Sequence, residues 1–182
     1  MRMKNMKTIG IFGIGVFAVV AVSTTAMLFG QSRSIEAATG LSGTIMPAPS
    51  WELQGADGKT IHSSDFKGKV VILDFWATWC PPCKAEIPGF IALQNEYGKK
   101  GLAVVGISVD EAGAAVVKQF AQQSGMNYPV VLADDKTPQA FGGIEAIPTT
   151  FIIDREGRIV TKHLGFTEKD EFEKELKPLL NL

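Results

Sequence analysis

The feature that most constrains this chain is the run from Val70 to Trp76, VVILDFW, apolar at every position but Asp74 and opening on three β-branched residues. A run so short and so continuous is the pattern of a strand buried on both faces. Behind it come Ala77, Thr78 and Trp79, then Cys80-Pro81-Pro82-Cys83, and from Lys84 a helical pattern that includes Ala85, Glu86 and Ile87. The proline pair ends the strand, because proline fixes φ and carries no N–H for a ladder. Cys80 therefore stands where a buried strand turns into a helix N-terminus.

Cys80 and Cys83 are the only cysteines. The first amides of a helix lack internal partners, and the positive end of the dipole favours an anion there. A thiol at that point has its thiolate stabilised, and the thiolate is the attacking species in disulfide exchange. Cys80 is thus the expected nucleophile. Cys83, one turn further in and more covered, is placed to attack a mixed disulfide on Cys80. A C-x-x-C beside a strand-helix-strand pattern is the sequence form of such a redox pair. A purely structural bridge over so small a loop gains little chain entropy. Zinc would need four ligands, and the only histidines, His62 and His163, do not lie at finger spacing, so no metal site is assigned. A Cu(I) site on the two thiolates with a distant histidine stays open as a rival.

Other groups tune the pair. Pro81 and Pro82 have no N–H, so two amides that would stabilise a Cys80 thiolate are missing. A less stabilised thiolate pushes the couple toward reducing potentials, which makes the pair an electron donor. Asp74, among apolar neighbours, has the raised pKa expected of a buried carboxylate and can act as a base. Glu86 sits one turn past Cys83, where the helix dipole alone would favour an acid.

The remaining chain reads as alternating strands and helices. Trp51 to Leu53 and Thr60 to His62 flank a turn-rich spacer and predict a hairpin, with Ser64 and Asp65 capping a short turn after it. The helix after Cys80 should run from Pro82 to Tyr97 and be capped at Gly98, with a bend at Pro88. Leu102 to Ser108 is a second buried strand. A helix over Ala112 to Gln123, a short strand at Pro129 to Ala133 and a helical turn at Thr137 to Phe141 follow it. Thr149 to Asp154 and Arg158 to Leu164 form a hairpin, and a last helix starts with Thr167 as its N-cap. Apolar strands joined through helices imply right-handed parallel crossovers and helices on both faces of a sheet.

At the other end of the chain, Arg2, Lys4 and Lys7 precede an uncharged run from Thr8 to Gly30. A stretch of about twenty apolar residues spans a bilayer as a helix. The expected organisation is a signal-anchor over 1–30, a linker over 31–47 and one domain over 48–182. Basic residues before the run leave the N-terminus in the cytoplasm and the domain on the outer, periplasmic or extracytoplasmic face of a cytoplasmic membrane. Cleavage after Ala26 is the alternative, and would give a secreted soluble form. With Arg2, Lys4, Lys7, Arg33 and Glu36 set aside, 14 basic and 18 acidic residues remain, a balance that argues against nucleic acid as a partner.

The segment Asp74-Phe75-Trp76-Ala77-Thr78-Trp79-Cys80-Pro81-Pro82-Cys83-Lys84 resembles the active site of the thioredoxin superfamily, and WCPPC followed by Glu86 resembles its TlpA/ResA branch. The resemblance implies a thioredoxin fold, a central mixed sheet flanked by helices, with an N-terminal β-hairpin and a central helix-strand insertion. It makes Ile147-Pro148-Thr149 similar to the cis-proline segment that faces the cysteines. Pro148 and Ile147 would then hold the substrate backbone, and Trp79 would form an exposed docking rim. It gives Glu86 a role as a functional acid and aligns Asp74 with the buried aspartate that takes a proton from the resolving thiol. Many sequences of the branch carry a non-ionisable residue at that second position.

The activity implied is a thiol-disulfide oxidoreductase that reduces disulfides in protein substrates. Cytochrome c maturation, with apocytochrome c as substrate, is one of the uses the branch serves. Electrons would come from a membrane thiol relay, with no cofactor other than the Cys80-Cys83 couple. Two rivals remain: a copper-binding chaperone of the same fold, and a thiol peroxidase, for which WCPPC lacks the expected lone cysteine with its Thr and Arg.

Overall fold

The computed structural model describes residues 46–182. The expected anchor (1–30) and all but the end of the expected linker lie outside the described residues. Among the described residues no helix is long and apolar enough to cross a membrane.

The run that opens the sequence argument is the central strand β4, Val70–Trp76, buried at every position. It pairs in parallel with β5, Leu102–Ser108, from Val70 opposite Leu102 to Trp76 opposite Ser108. On its other side it pairs antiparallel with β7, Thr149–Ile153. The sheet continues through β8, Arg158–Leu164, to the two-residue edge strand β1, Met46–Pro47, and beyond β5 to β6, Val130–Leu132, giving the order β1-β8-β7-β4-β5-β6. The hairpin of β2, Glu52–Gln54, and β3, Thr60–His62, forms its own two-stranded sheet. β1 occupies two residues read from sequence as linker, so among the described residues the sheet begins at Met46.

The period of two along β4 divides the core. Val70, Ile72 and Trp76 pack with Phe90 and Leu93 of α1, Pro81–Tyr97, with Val117 of α2, Ala114–Gln123, and with Phe172 and Leu176 of α4, Lys169–Leu180. Val71, Leu73 and Phe75 face the other way, onto Trp51 and Leu53 of the hairpin, Phe151, and Phe141 at the end of α3, Thr137–Ala140. Each large apolar side chain so buried contributes about 1.5–3 kcal/mol. Helices lie on both faces as expected, but the second face has only the single turn of α3 and is covered mainly by the hairpin.

α2 starts at Ala114, two residues after the expected Ala112, with Gly113 as its N-cap, and two further caps differ from expectation. Gly98 is right-handed, and after Tyr97 the chain tightens into a 3-10 turn over Gly98–Lys100 that ends on Gly101, whose φ of 103° is the left-handed value glycine permits. At α4 the N-cap is Glu168, one residue beyond Thr167. The Thr167 amide is committed elsewhere, to Glu86.

Candidate active site around the Cys80–Cys83 pair

Cys80 is the N-cap residue of α1, in extended backbone, and its sulfur accepts a hydrogen bond of 3.2 Å from the Cys83 amide. Pro81 and Pro82 fill the first two helical positions, so the third amide alone reaches the sulfur. The two sulfurs are joined in a disulfide. The residues are 2% and 1% exposed, so burial does not rank them as the sequence led one to expect. Their places on the helix do: Cys80 lies at its tip, Cys83 inside its first turn.

Three segments close around the tip. The Ile147-Pro148 peptide is cis, Pro148 is buried, and the Ile147 carbonyl oxygen lies 3.8 Å from Cys80 Sγ. Thr149 Oγ1 donates to the Ala146 carbonyl at 2.6 Å, and the Gly165 amide donates to the Pro148 carbonyl at 2.8 Å, which fixes that turn against β8. On the other flank Asp110 accepts from the Thr78 amide at 2.9 Å and from Ser108 Oγ at 2.8 Å, clamping the approach to Cys80. Trp79, between clamp and cysteine, is 64% exposed, whereas Trp76 is buried against Phe120 with its indole N–H unpartnered.

Beneath the pair lie two carboxyl groups. Glu86 is buried three residues past Cys83 on α1, which puts both on one face of the helix. Its Oε1 accepts the Thr167 amide at 2.7 Å, and its Oε2 has no partner. Burial, reinforced by the charge of Asp74, pushes its pKa up to about 8. Asp74, also buried, accepts from Thr150 Oγ1 at 3.0 Å, and burial raises it to about 7. The buried Tyr128 hydroxyl is pushed upward by burial and by both carboxylates, so it stays protonated. The layer that carries Cys83 thus holds two buried acids, both raised toward neutral pH by burial.

The cluster brings together every residue the sequence singled out: Cys80, Cys83, Glu86, Asp74, Trp79, Ile147 and Pro148. Sequence reasoning missed Thr78, Asp110, Thr150, Thr167 and Tyr128. Thr150 could have been found, since an antiparallel β4–β7 pairing sets it opposite Asp74. Of the two histidines, His62 pairs with Glu52 on the hairpin, whereas His163 stands opposite Thr150 on β8 and packs on Phe172 beside Glu175. Among the described residues no group of three or more His, Cys, Asp or Glu stands where it could hold a metal ion.

Residues 46–162 match the model of the AhpC/TSA family, well over half of the chain. The chain belongs to that thioredoxin-like family. Its relatives include the thiol-disulfide oxidoreductase ResA of Bacillus thuringiensis, 37% identical over 134 residues that cover 72% of this chain and 76% of that one. ResA of Bacillus subtilis is 40% identical over 113 residues, 62% of this chain and 63% of the relative. Among solved structures, a thiol:disulfide interchange protein of Chlorobium tepidum superposes with a TM-score of 0.70 at 38% identity, over 76% of this chain and 98% of the other. This family member has the thioredoxin fold and is a thiol-disulfide oxidoreductase acting on protein disulfides.

Proposed function

We propose that the protein is a membrane-tethered reductant of protein disulfides outside the cytoplasm, and that Cys80 and Cys83 carry the exchange. In the reduced form the Cys80 thiolate attacks one sulfur of a substrate disulfide, forming a mixed disulfide and expelling the other substrate sulfur as thiolate. Cys83, deprotonated, then attacks Cys80 Sγ, so the Cys80–Cys83 bond forms and the second substrate sulfur leaves. The substrate gains two electrons and the protein loses two. A membrane dithiol relay returns them through the same exchange, with no further cofactor.

The observation that carries this proposal is the Cys83 amide on Cys80 Sγ at a helix tip faced by the Ile147 carbonyl. A single amide there stabilises the Cys80 thiolate, and the two prolines limit that help to one bond, which favours a reducing couple. Glu86 and Asp74 take and return the protons of the Cys83 step. Ile147 and Pro148 align the substrate backbone, and Trp79 forms the docking rim. The anchor over 1–30 holds the domain on the outer face of the cytoplasmic membrane, and preparation of apocytochrome c for haem attachment is the use proposed.

Equilibrium titration of the Cys80–Cys83 couple at neutral pH tests the direction. A potential at or below about −200 mV is expected for a reductant, and one near −120 mV, the value of a strong disulfide former, would overturn it. Cys83→Ser should then accumulate a mixed disulfide with the physiological substrate, and identification of that partner tests the apocytochrome c assignment.

A further inference from the structure

Five cations without a carboxylate partner gather at one end of the domain. Lys67 and Lys69 precede β4, Lys99 and Lys100 precede β5, and Arg155 stands in the turn between β7 and β8. All five therefore gather at the end of the sheet away from the disulfide. Arg155 ties that end together, donating to the carbonyls of Gly68 at 3.1 Å, Lys100 at 3.3 Å and Leu179 at 3.4 Å. Its contacts are carbonyls, so its charge is not neutralised, and among the described residues the ion pairs are made by other side chains. The four lysines are exposed.

The opposite end carries more exposed acids than bases, with Lys84 and Lys136 among the bases. Glu111 lines a hollow beside Trp79, Glu145 precedes the Ile147–Pro148 turn, and Asp134 and Asp135 follow β6; all four are exposed. In a domain with more acids than bases, five unneutralised cations at one end are a concentrated exception. That basic end also holds a concavity of about 300 Å³, lined by Lys67, Lys69 and Arg155 together with Asp154 and Glu156, over the apolar side chains of Trp51, Val71 and Leu73. Both acids are held by Arg158, at 2.7 and 2.9 Å, which leaves the three cations as the unpaired charges of the rim. The described chain enters there too: Met46 lies opposite Ile159, and the Ala48 amide donates to the Gly157 carbonyl at 2.8 Å.

From these juxtapositions we infer that the basic end is a docking surface for anionic phospholipid headgroups, which turns the disulfide end away from the bilayer. The inference rests on the membrane-tethered reading above. Basic residues near a surface of anionic lipid are each weakly attracted, and the attraction fades within a Debye length. A tether raises the effective concentration of the domain at the surface, so a few cations suffice to bias its orientation. The acidic rim around Trp79 is repelled by the same surface, which leaves Cys80 open to substrates arriving from the aqueous side.

The test uses the full chain reconstituted into vesicles of phosphatidylcholine alone and of phosphatidylcholine with phosphatidylglycerol. Brief acetylation by a membrane-impermeant reagent is read at each lysine by mass spectrometry. Lys67, Lys69, Lys99 and Lys100 should react at least about threefold more slowly on the anionic vesicles, with the difference lost at about 0.5 M salt. Lys84, Lys118 and Lys162 should not change. Lys67→Glu combined with Lys99→Glu should return Lys69 and Lys100 to their rates on neutral vesicles and leave reduction of a soluble disulfide untouched.

Equal rates on both vesicles overturn the inference. So does equal protection on neutral vesicles, which would point to contact with another copy of the chain. Failure to float with neutral vesicles at high salt would instead break the tether. The basic end would then be judged on the same labelling with vesicles added to the chain at low salt.

Discussion

The two faces of β4 are equally buried and do different work. Val71, Leu73 and Phe75 point into a largely apolar layer in which the Phe75, Phe141 and Phe151 rings meet at centroid distances of 5.0–6.1 Å. On the other face, the layer shared with α1 holds Asp74, Glu86, an unpartnered Glu86 oxygen and an unpartnered Trp76 indole N–H. Apolar packing is cheap to satisfy, whereas a buried carboxyl costs free energy unless it is protonated or paired. The helix face keeps that cost and gains titratable groups beside Cys83. One strand thus carries a structural face and a chemical one, and substitutions on the two should separate cleanly.

The largest effect on stability should come from Phe75→Ala, which opens a cavity in the apolar layer and should cost about 3–5 kcal/mol by denaturant unfolding. The pH dependence of disulfide exchange should keep its shape. A changed profile would mean that the two faces are coupled through the strand.

Its neighbour should do the reverse. Asp74 is raised from 3.8 to about 7 by burial, so the folded state binds a proton more tightly than the unfolded state does. Between those two values the folded protein therefore loses stability as pH rises. Asp74→Asn, which keeps an oxygen for Thr150, should remove that loss and stabilise the domain by up to about 4 kcal/mol at pH 8, with little gain at pH 4. Unfolding at the two pH values checks the sign. Equal gains at both would assign the effect to packing.

Glu86→Gln tests the chemical face directly. Gln can still accept the Thr167 amide, so α1 and the start of α4 should stay joined and stability should hardly change. Exchange with a protein disulfide should slow by about tenfold to a hundredfold, and the inflection in rate near pH 8 should disappear. A surviving inflection would pass that proton to Asp74.

How far these faces could be read from sequence depends on the range of the interactions. β4 and α1 were legible because apolar runs, the proline pair and the helical period are local, and the structure moves their limits by at most a residue. The cis-proline turn was legible through its family likeness, since nothing local in Ile147-Pro148 demands that isomer. Thr150 on Asp74, Thr167 on Glu86 and Asp110 on Thr78 join residues 76, 81 and 32 positions apart, and no periodicity records such pairs. The cap at α4 shows the cost of reading locally: Thr167 is a good N-cap type, but its amide goes to Glu86 across the fold and its hydroxyl to the Gly165 carbonyl, and the helix starts after Glu168, whose side chain makes no cap bond. The edge strand β1 failed for a related reason, because two residues carry no period and only β8 gives them one.

Trp79 offers the smallest and most discriminating change, because it belongs to neither face of β4. Its ring is 64% exposed beside a cysteine that is 2% exposed, so it contributes surface to a partner and almost nothing to the core. Trp79→Ala should leave stability within about 0.5 kcal/mol, as an exposed site away from caps and buried networks does. With a small disulfide, which needs contact at Cys80 alone, kcat/KM should be unchanged. With a protein disulfide, KM should rise about threefold to tenfold at constant kcat, the signature of binding energy used equally in ground and transition states. A fall in kcat for both substrates would place the indole in the chemistry itself. Docking and proton transfer would then share one surface, and the division between an apolar face, a titrating face and a rim would no longer hold.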